Sequence, residues 1–185
     1  MNSGSNSKLS LFLMELIVAI MFFSLAAAVC VRLFASAHFL AEKTEDLSSA
    51  VMWTQNLAEA FTGSDGKLSE IAQLYPDAYI ASDNSDDSGL EGQLILFLNK
   101  DWVVTDQSLT DACYEVFLSV SKRPASDVYS DVTDYGVAYE GNALVGNIKV
   151  LNIQGVTEDF SNVINDESRL IHEGTIDVYL GKEGN

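Results

Sequence analysis

Proline is nearly absent from this chain: Pro76 and Pro124 are the two it has in 185 residues, and no Pro or Gly falls between Leu9 and Thr62. With no ring to remove a backbone donor and no glycine to loosen the chain, one helix of over 50 residues and ~80 Å is permitted there. Cysteine is equally scarce. Cys30 lies in an apolar run and Cys113 in the body, so lipid would separate them and an intramolecular disulfide is not expected; neither has a partner at metal-ligand spacing. The two histidines, His38 and His172, stand in no recognised catalytic motif, and no P-loop, dinucleotide fingerprint or zinc spacing occurs. The expectation is a chain that is not an enzyme. Basic residues are few as well, 10 against 27 acidic, and from residue 41 onward eight face 26, a formal charge of −18. Such a surface repels phosphate backbones and anionic headgroups, which argues against nucleic acid and against peripheral lipid binding. Solubility, attraction of cations and repulsion of neighbours are what it favours.

Hydrophobic residues make up 48% of the chain, and much of that lies in the first 40 positions. From Leu11 to Val31 every residue is apolar or small except Glu15. As a helix these residues rise about 1.5 Å each, roughly 31 Å, the thickness of the hydrocarbon core. Lys8 precedes the run and Arg32 follows it, so charge alone tips the topology only slightly; the size and acidity of the body favour N-in, C-out. Beyond Arg32 the positions Leu33, Ala37, Leu40, Leu47, Val51, Thr54, Leu57 and Phe61 keep approximate helical spacing, with a break near Thr44. The helix is therefore expected to be apolar all round in its first half and amphipathic in its second, ending at Gly63-Ser64-Asp65-Gly66. A cleavable secretory signal could use Ala35-Ser36-Ala37, against which stand the length of the run and Glu15 within it. A lipoprotein reading fails at bulky Val29 before Cys30. A plain signal anchor stays open.

The run Ser10-Leu11-Phe12-Leu13-Met14-Glu15-Leu16-Ile17-Val18-Ala19-Ile20 resembles the processing and assembly segment of type IV pilins and of the pseudopilins of type II secretion. That segment has a short polar leader with a basic residue, a small residue at the cut, four apolar residues and a glutamate. The resemblance implies that Lys8 is the leader's basic residue, that a prepilin peptidase cuts between Ser10 and Leu11, and that Glu15 becomes the fifth mature residue. It also implies a pilin-like α+β fold and, as partners, other pilin-like subunits joined through the N-terminal helix. The chain departs from the pattern by having Ser10 where Gly is usual, Leu11 where Phe or Met is usual, and Arg32 where many pilins have a helix-kinking Pro. The likeness covers about the first 25 residues. Independently of it, a carboxylate early in an apolar helix costs several kcal/mol in lipid unless paired or close to the interface. Glu15 thus has an assembly role, or else snorkels to the interface or stays protonated.

After the helix, Leu68, Ile71, Ala72 and Tyr75 have helical spacing before Pro76, which predicts a short helix over Lys67 to Tyr75. Strands are predicted at Gln93 to Leu98, at Tyr114 to Val120 with Tyr114, Val116, Leu118 and Val120 on one face, less regularly at Ile148 to Ile153, and at Thr175 to Leu180. With no regular helices between them, they suggest an antiparallel meander with one face toward the long helix. Ser126 to Tyr135 and Glu158 to Ile171 give no clear pattern, and His172 reads as a loop residue. Trp53 and Trp102 read as core or interface residues. Ser82 to Gly89 is of low complexity, and its Asp83, Asp86 and Asp87 cluster hard oxygens of the kind calcium takes. The glycine and distal glutamate of an EF-hand loop are missing, so a solvated loop is the competing reading and no cofactor is otherwise implied.

The expected organisation is then a leader (1–10), a membrane-spanning half-helix (11–34), an amphipathic half-helix (35–62) and an acidic β-rich domain (63–185). Two functions fit it. One is an assembly subunit of a type IV pilus or a type II secretion-like pseudopilus, anchored in the bilayer and polymerised through its helix, with its body at the cell surface, facing the periplasm or within a filament. The other is a solitary single-pass anchored domain that binds something outside the cytoplasm.

Overall fold

The computed structural model describes residues 4–81, 91–105, 111–132, 139–156 and 166–181. Helix α1, Gly4–Gly63, runs for 60 residues without a break, as the lack of Pro and Gly allows. The chain divides into two units, Met1–Glu45 and Asp46–Asn185. In the first, every described side chain from Leu9 to Glu45 is exposed. Two of its hydroxyls bond along the helix itself: Ser24 Oγ donates to the Ile20 carbonyl and Thr44 Oγ1 to that of Leu40, both at 2.8 Å. His38 Nε2 lies 3.4 Å from Glu42 Oε1 one turn on.

The second unit holds the core. Within Asp46–Gly63 the buried positions are Ala50, Thr54, Leu57 and Phe61, one stripe at i, i+4, i+7 and i+11. Leu47, expected on that stripe, is instead exposed. Thr54 is tolerated inside because its Oγ1 donates to the Ala50 carbonyl at 2.9 Å. The helix ends where expected, in a Schellman motif: Gly66 N–H bonds to the Phe61 carbonyl at 2.8 Å and Asp65 N–H to that of Thr62 at 3.3 Å. Asp65 takes the left-handed position with φ 50°, and Gly66 follows at φ 74°. A Cβ at Gly66 would stand 2.7 Å from Leu144 Cδ1, so this turn packs directly on the sheet. Helix α2, Leu68–Leu74, buries Leu68 and Ile71.

Five strands follow: β1 (Tyr79–Ala81), β2 (Gly92–Leu98), β3 (Tyr114–Pro124), β4 (Asn142–Asn152) and β5 (Leu170–Gly181). A short helix α3, Ala125–Val128, turns the chain between β3 and β4. The sheet order is β1-β2-β3-β4-β5 with every pair antiparallel, the expected meander. Register stacks Leu94, Leu118 and Ile148 in one row and Leu96, Val116 and Val150 in the next. All six are at most 1% exposed, each stabilising by about 1.5–3 kcal/mol through removal from water. The Asp46–Gly63 part of α1 lies against this face, and the fold is α+β. Two glycines make room for it: a Cβ on Gly146 would lie 3.3 Å from Phe61 Cε2, and one on Gly174 would lie 2.7 Å from Thr54 Cγ2.

Two expectations change, and one strand is added. Strand β4 begins at Asn142, six residues before Ile148, because Ala143 and Leu144 are buried between β3 and β5 while Gly146 and Asn147 hide the alternation. Strand β5 begins at Leu170, so His172 is a strand residue opposite Val150. The three-residue β1 is too short to leave a periodic signal.

Candidate functional site

The residues expected to matter lie on the exposed half of α1. Ser10 and Leu11 are consecutive residues of an unbroken helix that starts at Gly4, and Leu11 is 70% exposed. Glu15 is one turn beyond Leu11, exposed, and flanked by exposed Phe12, Met14, Leu16 and Ile17. The side chain of Lys8 lies outside those described. The stretch from Leu9 onward is long and apolar enough to cross a membrane, and none of its most apolar window is buried by the protein. So much apolar surface in water would drive association. A lipid bilayer supplies the solvent it matches, and every backbone group within it is paired internally.

Asp83, Asp86 and Asp87 lie outside the described residues. Among the described residues no group of three or more His, Cys, Asp or Glu could hold a metal ion. Cys30 is exposed, Cys113 half-buried, and both are free thiols. The tryptophans serve packing: Trp53 Nε1 donates to the Trp102 carbonyl at 3.3 Å, and the Trp102 ring stacks on Tyr114 at 3.9 Å between centroids. The Tyr114 hydroxyl in turn donates to Asp46 Oδ1 at 2.7 Å, tying the helix to β3 at Asp46.

Two features of the outer sheet face escaped the sequence reading. Glu115 is completely buried, with neither carboxylate oxygen bonded. Register sets it between Phe97 and Leu151, in a small cluster that includes Ile153, Ala112, Val156 and Leu170. Burial pushes its carboxyl up to about 7. Alternation placed Tyr114, Val116, Leu118 and Val120 inside and therefore Glu115 outside; nothing local says that the opposite face is also covered at this end. The second feature is an aromatic group formed by Tyr129, Tyr139 and Tyr179, with ring centroids 5.0, 5.8 and 6.1 Å apart. Tyr129 OH donates to Asp177 Oδ2 at 2.5 Å, and Tyr179 OH to the Glu140 carbonyl at 2.5 Å. Burial, and the bond to Asp177, push the Tyr129 phenol up to about 12. The alternation of Asp177 and Tyr179 along β5 was legible; their meeting with Tyr129 and Tyr139 was not.

No family model, no curated protein and no solved structure matches this chain.

Proposed function

We propose that the chain is a pilin-like or pseudopilin-like assembly subunit, held in the membrane by the first half of α1 with its N-terminus inside and its acidic body outside, and joined to further subunits through the same helix. The observation that carries this reading is Glu15: one carboxylate, a single turn after Leu11, on an otherwise apolar helix exposed on all sides. A carboxylate within an apolar helix costs free energy in lipid unless it is paired or close to the interface, and pairing with a neighbouring subunit would relieve that cost. A prepilin-type peptidase cutting between Ser10 and Leu11 would remove Lys8 and free an amine at the membrane face. Pairing of that amine with Glu15 of a neighbouring subunit would reward one axial stagger, because any other leaves a charge unpaired among apolar helices. The layout of a long helix whose second half lies on an antiparallel meander is in keeping with such a subunit.

Two measurements test it. Mass spectrometry of protein extracted from membranes should find Leu11 at the N-terminus; retention of residues 1–10 in functional protein would leave a solitary anchored domain. Glu15→Gln and Glu15→Leu should both insert and be cleaved, yet enter a filament or secretion complex poorly. Normal incorporation of both variants would end the pairing idea.

A further inference from the structure

Along β5 the side chains of Glu173, Thr175, Asp177 and Tyr179 are exposed and alternate with half-buried ones, so they form the outer face of an edge strand. At its C-terminal end Tyr179 and Tyr139 are 46% and 40% exposed, and Tyr129 is half-buried beside them. Two hydroxyl bonds tie the group to its surroundings, Tyr129 to Asp177 and Tyr179 to the Glu140 backbone. The Tyr129 and Tyr179 phenols are thereby held in place with their hydroxyls engaged, and what these two offer a visitor is ring. The negative faces of aromatic rings attract cations out to about 6 Å from a centroid. The centroids are no more than 6.1 Å apart and the rings are tilted by 50–75°, so a segment lying across the group meets more than one ring. The Asp177 carboxylate sits within the group, Asp127 and Asp131 are exposed on the adjoining turn, and the chain as a whole carries a net charge of −17. Of the described basic residues on the same sheet face, Arg123 shares a cross-strand row with Tyr179 through Ala143, two strands away, and Lys149 is opposite Glu173.

We propose that the Tyr129–Tyr139–Tyr179 patch with Asp177 is a docking surface for a basic polypeptide segment, whose Arg or Lys side chains lie on the tyrosine rings and against the carboxylate. Rings of this kind supply large contact area at little cost in side-chain entropy, and here two of the three are pinned in advance. Charge complementarity selects the partner: phosphate-bearing and anionic lipid surfaces are repelled by the same field that draws a basic chain.

The test separates the patch from general attraction to an acidic protein. Full-length protein in dodecyl maltoside micelles, a detergent without a cationic headgroup, is titrated with a fluorescent octapeptide of four Gly-Arg repeats, and a Gly-Gln octapeptide serves as control. The double variant Tyr139→Leu, Tyr179→Leu leaves net charge untouched and should weaken Gly-Arg binding by five-fold or more. Tyr179→Phe keeps the ring and should bind within two-fold of the parent, and the comparison of two Asp variants stands even where the leucine pair loosens the fold. Asp101→Asn, distant in the chain and equal in charge change to Asp177→Asn, should matter less than Asp177→Asn. Equal binding by the parent and the double leucine variant, or equal affinity for the Gly-Gln peptide, overturns the proposal.

Discussion

Gly174 lies so close to Thr54 that a Cβ added to it would stand 2.7 Å from the threonine's Cγ2. This contact sets the spacing of the amphipathic half-helix over β5. Gly174→Ala is expected to lower stability by about 2 kcal/mol, the usual range for overpacking. Thr54→Ser deletes the offending methyl and keeps the hydroxyl that bonds to Ala50. The two changes together should therefore recover most of the loss, a coupling read by a double-mutant cycle of urea unfolding in non-ionic detergent. Simple additivity would show that the contact does not set the spacing.

Glu115 makes the fold pH-sensitive. Its carboxyl is raised from 4.5 to about 7 by burial alone. Between those values the folded state keeps a proton that the unfolded chain has released. Stability thus falls as pH rises through that window, by about 3 kcal/mol in total, and the loss is complete above the folded value. Glu115→Gln should flatten the difference between unfolding free energies measured at pH 5 and at pH 8. The Glu115→Met variant, which matches its neighbours Phe97 and Leu151, should be more stable than the parent at pH 8. An equal pH dependence in parent and Glu115→Gln would show that the carboxyl titrates normally.

The chain from residue 36 onward should fold alone as a soluble monomer. Its core, from Ala50 and Phe61 through Leu94, Leu118 and Ile148, lies wholly within the unit Asp46–Asn185. None of the apolar surface between Leu9 and Phe34 is needed for that core. A single cooperative urea transition, and a sedimentation coefficient of one protomer, are the expected results. A non-cooperative or aggregated fragment would mean that the first helical half also supports the body.

What the sequence by itself determined is whatever depends on neighbours along the chain. Absence of Pro and Gly from Leu9 to Thr62 permits the helix, and a run apolar or small but for Glu15 gives it the length and texture to cross a membrane. Gly63-Ser64-Asp65-Gly66 stops it because left-handed backbone is cheap there, and Asp65 and Gly66 adopt such φ values. The alternation at Tyr114 to Val120 and Thr175 to Leu180 predicts two strands, since side chains on a strand change face at every residue. Of the helical stripe, Thr54, Leu57 and Phe61 were legible and Ala50 was not, with Val51 expected in its place, because small residues carry little hydrophobic signal. The outcome at positions opposed across the sheet was not legible. Glu115 is buried because Phe97 and Leu151 flank it in register and a second apolar cluster covers that face. His172 is a strand residue because Val150 pairs with it. Gly146 and Gly174 weaken strands by propensity, yet they stand where α1 approaches. The tyrosine patch joins residues 129, 139 and 179, and Tyr129 bonds to Asp177 across 48 positions. Burial and contact of this kind arise only from the pairing of distant strands, and that pairing is decided by the packing of the whole core.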